Sequence, residues 1–209
     1  MTTKNKIALI TGGSRGLGKD MALNLAKDGI DVIITYNSQK DEALKVVEDI
    51  KEFGRKATAL PFNAGNVAGL PNFITSVKSA LKNTFETEAS DFLINNAGIG
   101  LHAPFAETTE EQFDTLMNIH FKGVFFLTQK VLPLINDGGR IINISTGLAR
   151  FSNPGYSAYA SMKGAIEILT RYMAKELGVR KIAVNTVAPG AIETDFSGGF
   201  VRDNEQMNK

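Results

Sequence analysis

Tyr159 and Lys163 stand four residues apart on a helical pattern, so their side chains leave one helix face a single turn apart. A free tyrosine titrates at about pH 10 and exchanges protons poorly at neutrality. An ammonium beside it stabilises the phenolate and draws the phenol toward working pH, which makes a usable acid and base of it. Isolated pairs of this kind also occur as a surface tyrosine beside a solvated lysine, so their company matters. The run Ile141-Ile142-Asn143-Ile144-Ser145-Thr146 ends in two hydroxyls, 14 and 13 residues before the tyrosine. Neighbours on a strand point to opposite faces, so one of the two faces the phenol. A hydroxyl and a phenol on either side of one carbonyl oxygen would suit proton transfer to it.

A second constellation lies at the start of the chain. The apolar run Ile7-Ala8-Leu9-Ile10 passes into Thr11-Gly12-Gly13-Ser14-Arg15-Gly16-Leu17-Gly18 and then a helical pattern. A tight strand-to-helix turn, a close backbone approach to a pyrophosphate, and a first helical turn lying flat on a sheet each favour glycine. Free amides at the helix N-terminus and the positive end of its dipole then face phosphates. Glycine-rich turns also occur in α/β proteins that bind no nucleotide. The spacing here differs from the common G-x-G-x-x-G fingerprint.

Around these motifs, short Val- and Ile-rich runs alternate with longer amphipathic segments. That alternation predicts a single-domain α/β protein, a three-layer αβα Rossmann-like doubly wound parallel sheet. Strands are expected near 6–11, 31–36, 56–62, 91–95, 139–145 and 181–187, and helices near 17–28, 39–53, 69–84, 109–133 and 156–178. Thr109 and Gln112 have capping-box spacing, and Gly29, Gly54 and Gly178 stand where left-handed caps close helices. Ligands of such sheets sit beyond the carboxyl ends of the strands, where all the motifs lie.

The 209 residues are 43% hydrophobic, enough for one sizeable core. A net charge of +1, from 23 basic and 22 acidic residues, offers no field for nucleic acid or an anionic membrane. The absence of cysteine excludes disulfides, thiolate metal sites and a cysteine nucleophile; no metal site is expected. The polar start Met1–Lys6, followed at once by a strand, fits neither a signal peptide nor a spanning helix, and a cytoplasmic setting is expected.

Four elements stand in one order along nearly the whole chain: Thr11-Gly12-x-x-x-Gly16-x-Gly18, Asn95-Asn96-Ala97-Gly98, Tyr159-x-x-x-Lys163 and Pro189-Gly190-x-x-x-Thr194. In these the sequence resembles the classical short-chain dehydrogenase/reductase family, with 3-oxoacyl carrier-protein reductases and glucose dehydrogenases among its members. The resemblance implies that Tyr159 is the general acid/base, that Lys163 lowers its pKa and grips the nicotinamide ribose, and that a hydroxyl orients the carbonyl. The family's serine falls on Thr146, with Ser145 next. The family's relay asparagine falls on His120, which serves either as a relay through water or as a buried structural histidine.

For the cofactor, the resemblance implies contacts from the cradle residues Gly12, Ser14, Arg15, Gly16, Leu17 and Gly18. It adds Asn63 and Ala64 near adenine, Asn95, Ala97 and Gly98 near the adenosine ribose and strand four, and Pro189, Gly190, Ile192 and Thr194 around the carboxamide. Strand two ends in Tyr36-Asn37-Ser38, without the carboxylate that binds a ribose 2′-hydroxyl, while Arg15 could pair with a 2′-phosphate. NADP(H) is therefore expected, with NAD(H) as the alternative. Implied substrates are carbonyl and alcohol compounds: small ketones and aldehydes, 3-oxoacyl thioesters or sugars. A homodimer or homotetramer is implied as well. A non-catalytic NADP(H)-sensing regulator is the alternative function; a lyase or epimerase would need a further base. The expected boundaries are 1–195 for the cofactor-binding and catalytic domain and 196–209 for the start of a substrate lid; the resemblance implies a sheet lacking the family's final strand, with the chain either truncated or a short form.

Overall fold

The computed structural model describes residues 5–194; the expected lid segment at 196–209 lies outside the described residues. Six parallel strands form one sheet in the order β3-β2-β1-β4-β5-β6: β1 (Ile7–Ile10), β2 (Asp31–Tyr36), β3 (Ala57–Pro61), β4 (Ser90–Asn95), β5 (Ile135–Ile144) and β6 (Ala183–Val187). The chain winds outward from β1 to β3, then crosses back to β4 on the other side of β1. The crevice where the winding reverses lies past the carboxyl ends of β1 and β4, the place such sheets reserve for ligands.

Both faces of the sheet are covered, which is why its strands read as unbroken apolar runs. Side chains alternate along each strand, so Leu9, Ile33, Leu93 and Ile141 pack with α3 (Leu70–Phe85) and α5 (Gly123–Val131) on one face. Ala8, Ile10, Val32 and Ile34 pack with α1 (Gly16–Lys27) and α2 (Lys40–Glu52) on the other. Every strand and helix expected from the patterning is present within a few residues, except in three places.

The expected helix 109–133 is divided. It runs as α4 (Glu110–Met117), a π-helical turn over Asn118–Lys122, and α5. At Gly123 the helix backbone lies against Ala64 O so closely that a side-chain carbon would overlap it. The widened turn sets His120 inward at 1% exposure. β5 begins four residues before the expected start, because the ladder to β4 resumes across an irregularity between Ser90 and Phe92. Gly178 does not adopt the left-handed cap: its φ is −56°, and Lys181 takes that conformation with φ 56° after one further 3-10 turn.

Beneath the crevice, a chain of buried polar side chains stitches β4, β5 and β6 to α5 and α6 (Ser157–Leu177). Asn95 Nδ2 donates to Thr128 Oγ1 (3.0 Å) and to Asn143 Oδ1 (2.8 Å). Asn143 Nδ2 and Thr186 Oγ1 both donate to Thr170 Oγ1 at 2.8 Å.

The capping box is formed: Thr109 Oγ1 accepts from Gln112 N (3.2 Å) and Gln112 Oε1 accepts from Thr109 N (3.0 Å). Replacing Thr109 with Ala removes one of these bonds at an exposed end, so chemical denaturation should show a loss of about 1 kcal/mol. A loss below the error of the measurement would show that the cap adds nothing to α4.

Candidate active site

The glycine turn is clamped from both sides before any ligand arrives. Thr11 Oγ1 accepts from Asn96 N (2.9 Å) and Ala97 N (3.0 Å), while Asn96 Nδ2 donates to Thr11 O (2.9 Å) and Gly12 O (3.1 Å). From β2, Thr35 Oγ1 accepts from Gly12 N at 3.1 Å. Gly12 has φ +67°, and a Cβ there would lie 2.9 Å from Ala97 Cα; at Gly18 it would overlap Gly12 O. Only glycine lets α1 start this close to β1. Arg15, the N-cap of α1, makes no side-chain cap bond, so the first amides of the helix stay available to an anion.

A cavity of about 620 Å³ runs from this turn along the carboxyl ends of the strands. Its walls hold Gly12, Ser14, Arg15, Gly16, Leu17, Gly18, Tyr36, Asn37, Ser38, Asn63, Ala64, Ala97, Gly98, His120, Thr146, Tyr159, Lys163, Pro189, Gly190, Ile192 and Thr194. These are all but one of the residues expected at the site. Asn95 is the exception: its side chain points down into the polar chain beneath the crevice and does not line the cavity, and its neighbour Asn96 does. The period of two along a strand was the signal that separates them. The Asn63 Oδ1 expected to accept from adenine already accepts from Gly65 N at 2.9 Å and keeps a second lone pair.

At the far end the two hydroxyls of β5 part company. Ser145 Oγ turns onto α6, donating to Glu167 Oε1 (3.0 Å) and Lys163 O (3.3 Å). The Thr146 side chain hydrogen-bonds the Tyr159 phenol. Lys163 Nζ donates to Ile144 O at 2.7 Å and lies 5.8 Å from the centre of the Tyr159 ring. Burial pushes the phenol up to about 12, while the Thr146 hydrogen bond pulls it down and Tyr156 raises it. This corrects the expected lowering toward neutrality: loss of hydration disfavours the phenolate more than the nearby groups favour it. Burial likewise pushes Lys163 down to about 8.

His120 meets the edge of Tyr159, with ring centres 5.1 Å apart at 87°. Burial first, and then the Lys163 charge, lower it to about 3 against the opposing Ile99 hydrogen bond, so the imidazole is neutral. Its Nε2 lies 2.8 Å from Ile99 O, closer than the 3.3 Å to Ile99 N. That assigns the proton to Nε2 and leaves Nδ1 as an acceptor, buried and without a hydrogen-bond partner among the described residues. The ring rests on Gly98, where a Cβ would lie 2.7 Å from Cε1.

Sequence reasoning passed over Thr35, Asn96, Leu148, Phe151, Asn153 and Tyr156, which also line the cavity. Tyr156 carried a legible signal, since it stands three residues before Tyr159 and so shares its helix face.

Residues 6–205 match the family described as short chain dehydrogenase. The chain is 36% identical over 192 residues to the hydroxynaphthalene reductase-like protein Arp2 of Metarhizium brunneum, covering 91% of this chain and 70% of that one. Among solved structures, it resembles the angucycline C-6 ketoreductase LanV with bound NADP, with a TM-score of 0.86 and 36% identity over 89% of this chain and 72% of that one. It also resembles a short chain dehydrogenase from Burkholderia cenocepacia in complex with NADP, with a TM-score of 0.88 and 34% identity over 97% of this chain and 80% of that one. No helix among the described residues is long and apolar enough to cross a membrane. The crevice, the glycine cradle and the Thr-Tyr-Lys cluster thus occur in a chain that belongs to the short-chain dehydrogenase family of oxidoreductases.

Proposed function

We propose that this protein is an NADP(H)-dependent oxidoreductase that interconverts a carbonyl and an alcohol, with Tyr159 as the general acid/base. The observation that carries the reading is that Thr146, Tyr159 and Lys163 line the same cavity as the uncapped glycine turn. The turn fits a dinucleotide: the missing side chains at Gly12 and Gly18 let β1 and α1 close up, and the uncapped first amides of α1 would receive the pyrophosphate's charge. Arg15 and the carboxylate-free end of β2 favour a 2′-phosphate, hence NADP(H) over NAD(H).

A bound nicotinamide supplies hydride to the carbonyl carbon or takes it from the alcohol. Thr146 and Tyr159 hold the substrate oxygen between them, which fixes the reacting carbon relative to the cofactor's end of the cavity. The phenol, protonated at neutral pH, gives its proton to the oxygen as negative charge develops there, and retrieves one in the reverse direction. Lys163 would add positive charge that favours the momentary phenolate and would hold the cofactor's ribose. Neutral His120 keeps an acceptor nitrogen within this cluster, suited to a water-borne relay. The proposed substrates are ketones, aldehydes, 3-oxoacyl thioesters or sugars. The proposed setting is the cytoplasm and the proposed assembly a homodimer or homotetramer, for which the partly exposed Phe113, Phe125, Ile168 and Tyr172 offer apolar surface.

NADPH consumption across a set of carbonyl compounds tests the reading. Tyr159→Phe should lower turnover by about 10²- to 10⁴-fold and leave NADPH binding, followed by cofactor fluorescence, in place; full turnover in this variant would refute the acid/base role. Thr146→Ala should reduce turnover by about tenfold or more, and Ser145→Ala by much less; the reverse ranking would move the carbonyl contact by one residue. Arg15→Ala should raise the Michaelis constant for NADPH by about tenfold and that for NADH little, and equal effects would remove the 2′-phosphate contact.

A further inference from the structure

The loop between β5 and α6, residues 147–156, leaves Thr146 and returns to the helix that bears Tyr159. What this loop presents therefore lies beside the body of any substrate whose oxygen those two groups hold. Leu148, Phe151, Asn153 and Tyr156 are its cavity-lining side chains beyond the first glycine, and none carries a charge. Among the described residues, the cationic side chains of the cavity wall are Arg15 and Lys163, which belong to the glycine turn and to the proposed catalytic cluster. Phe151 is 74% exposed at the mouth.

Tyr156 is fixed where it stands. Its ring meets the edge of His102 with centres 5.1 Å apart at 78°. The His102 imidazole rests on Gly155, whose φ of +85° and lack of a Cβ both permit the approach, since a side-chain carbon there would overlap the imidazole ring. Gly155 O accepts from Ala103 N at 2.9 Å, which ties this loop to the one after β4. Tyr156 and Leu148 also pack with Leu116 and Tyr159 in one apolar cluster. The result is a preorganised aromatic wall one helical turn from the acid/base.

We propose that Tyr156 is a specificity-determining residue and that the substrates are planar, fused-ring aromatic ketones, which stack on this wall with the carbonyl oxygen between Thr146 and Tyr159. The proposal rests on the reductase reading above. A sugar would need several hydrogen-bond partners, and this wall offers the Asn153 amide and the Tyr156 hydroxyl. An acyl thioester with a phosphorylated arm would need a cation, and the loop's one cation, Arg150, lies outside the cavity wall and pairs with Glu167 at 3.9 Å. A flat ring instead gains apolar contact and offset or edge stacking. The reaction balances as ketone plus NADPH plus one proton, delivered by Tyr159 and replaced from water, giving alcohol and NADP+.

The test compares 2-tetralone with ethyl acetoacetate as NADPH-dependent substrates, and follows 2-naphthol binding by its own fluorescence anisotropy, which a chain with no tryptophan leaves unobscured. Wild-type protein should show a kcat/KM about tenfold higher for 2-tetralone. Tyr156→Ala should raise the KM for 2-tetralone about tenfold, several times more than for ethyl acetoacetate, and weaken 2-naphthol binding to match, whereas Tyr156→Phe keeps both near wild type. A preference for the acyclic ketone, or unchanged 2-naphthol binding in Tyr156→Ala, overturns the inference and leaves the reductase reading standing. Reduction of no carbonyl compound at all overturns both.

Discussion

The contact between the start of α1 and the glycine turn governs the rest of the crevice. Helix α1 can begin where it does only because Gly18 has no side chain to strike Gly12 O, and the turn holds its shape because Thr11, Thr35 and Asn96 satisfy its polar groups. Those bonds draw the ends of β1, β2 and β4 to one level. The carboxyl ends of all six strands then open into one continuous cavity, and the glycine turn and the Thr146, Tyr159 and Lys163 cluster, on distant stretches of sequence, share it.

Electrostatics in the cluster follow from how deeply it is set. Tyr159, Lys163 and His120 are all buried, and each is pushed toward its neutral form: the phenol up, the ammonium and the imidazole down. Desolvation acts in the same direction on all three, so at neutral pH the phenol keeps its proton and the imidazole is uncharged, while Lys163, at about 8, still carries most of its charge. A developing negative oxygen between Thr146 and Tyr159 would change that balance, because Lys163 would gain a partner for its charge.

Much of this was legible in the letters, for reasons that differ from place to place. Strand order and helix placement follow from apolar periodicity, which a sheet covered on both faces imposes along the whole chain. The glycine turn was legible because steric exclusion leaves few residue types able to occupy it. The choice between Thr146 and Ser145 was not, since it depends on which hydroxyl α6 captures, and Glu167 lies 22 residues beyond Ser145. That Asn95 turns away from the cavity and Asn96 lines it does not show in a motif read as a block, although adjacent strand positions serve opposite sides of the sheet. The π turn at Asn118–Lys122 left no periodic trace, since one widened turn hardly disturbs the apolar spacing around it. The phenol's pKa was misjudged because sequence reveals a neighbouring ammonium but not the depth at which both are buried.

The segment that frames the substrate end is fastened through its backbone. Gly147 N bonds Pro189 O at 2.9 Å, and Gly155 O receives Ala103 N at the same distance, while the polar stitching of β4, β5 and β6 lies underneath. Leu148 packs with Tyr159, but the side chains after it can change without disturbing that contact. Evolution, or a protein engineer, can thus treat residues 151–154 as an exchangeable cassette, altering what is recognised while the proposed proton-transfer apparatus stays as it is.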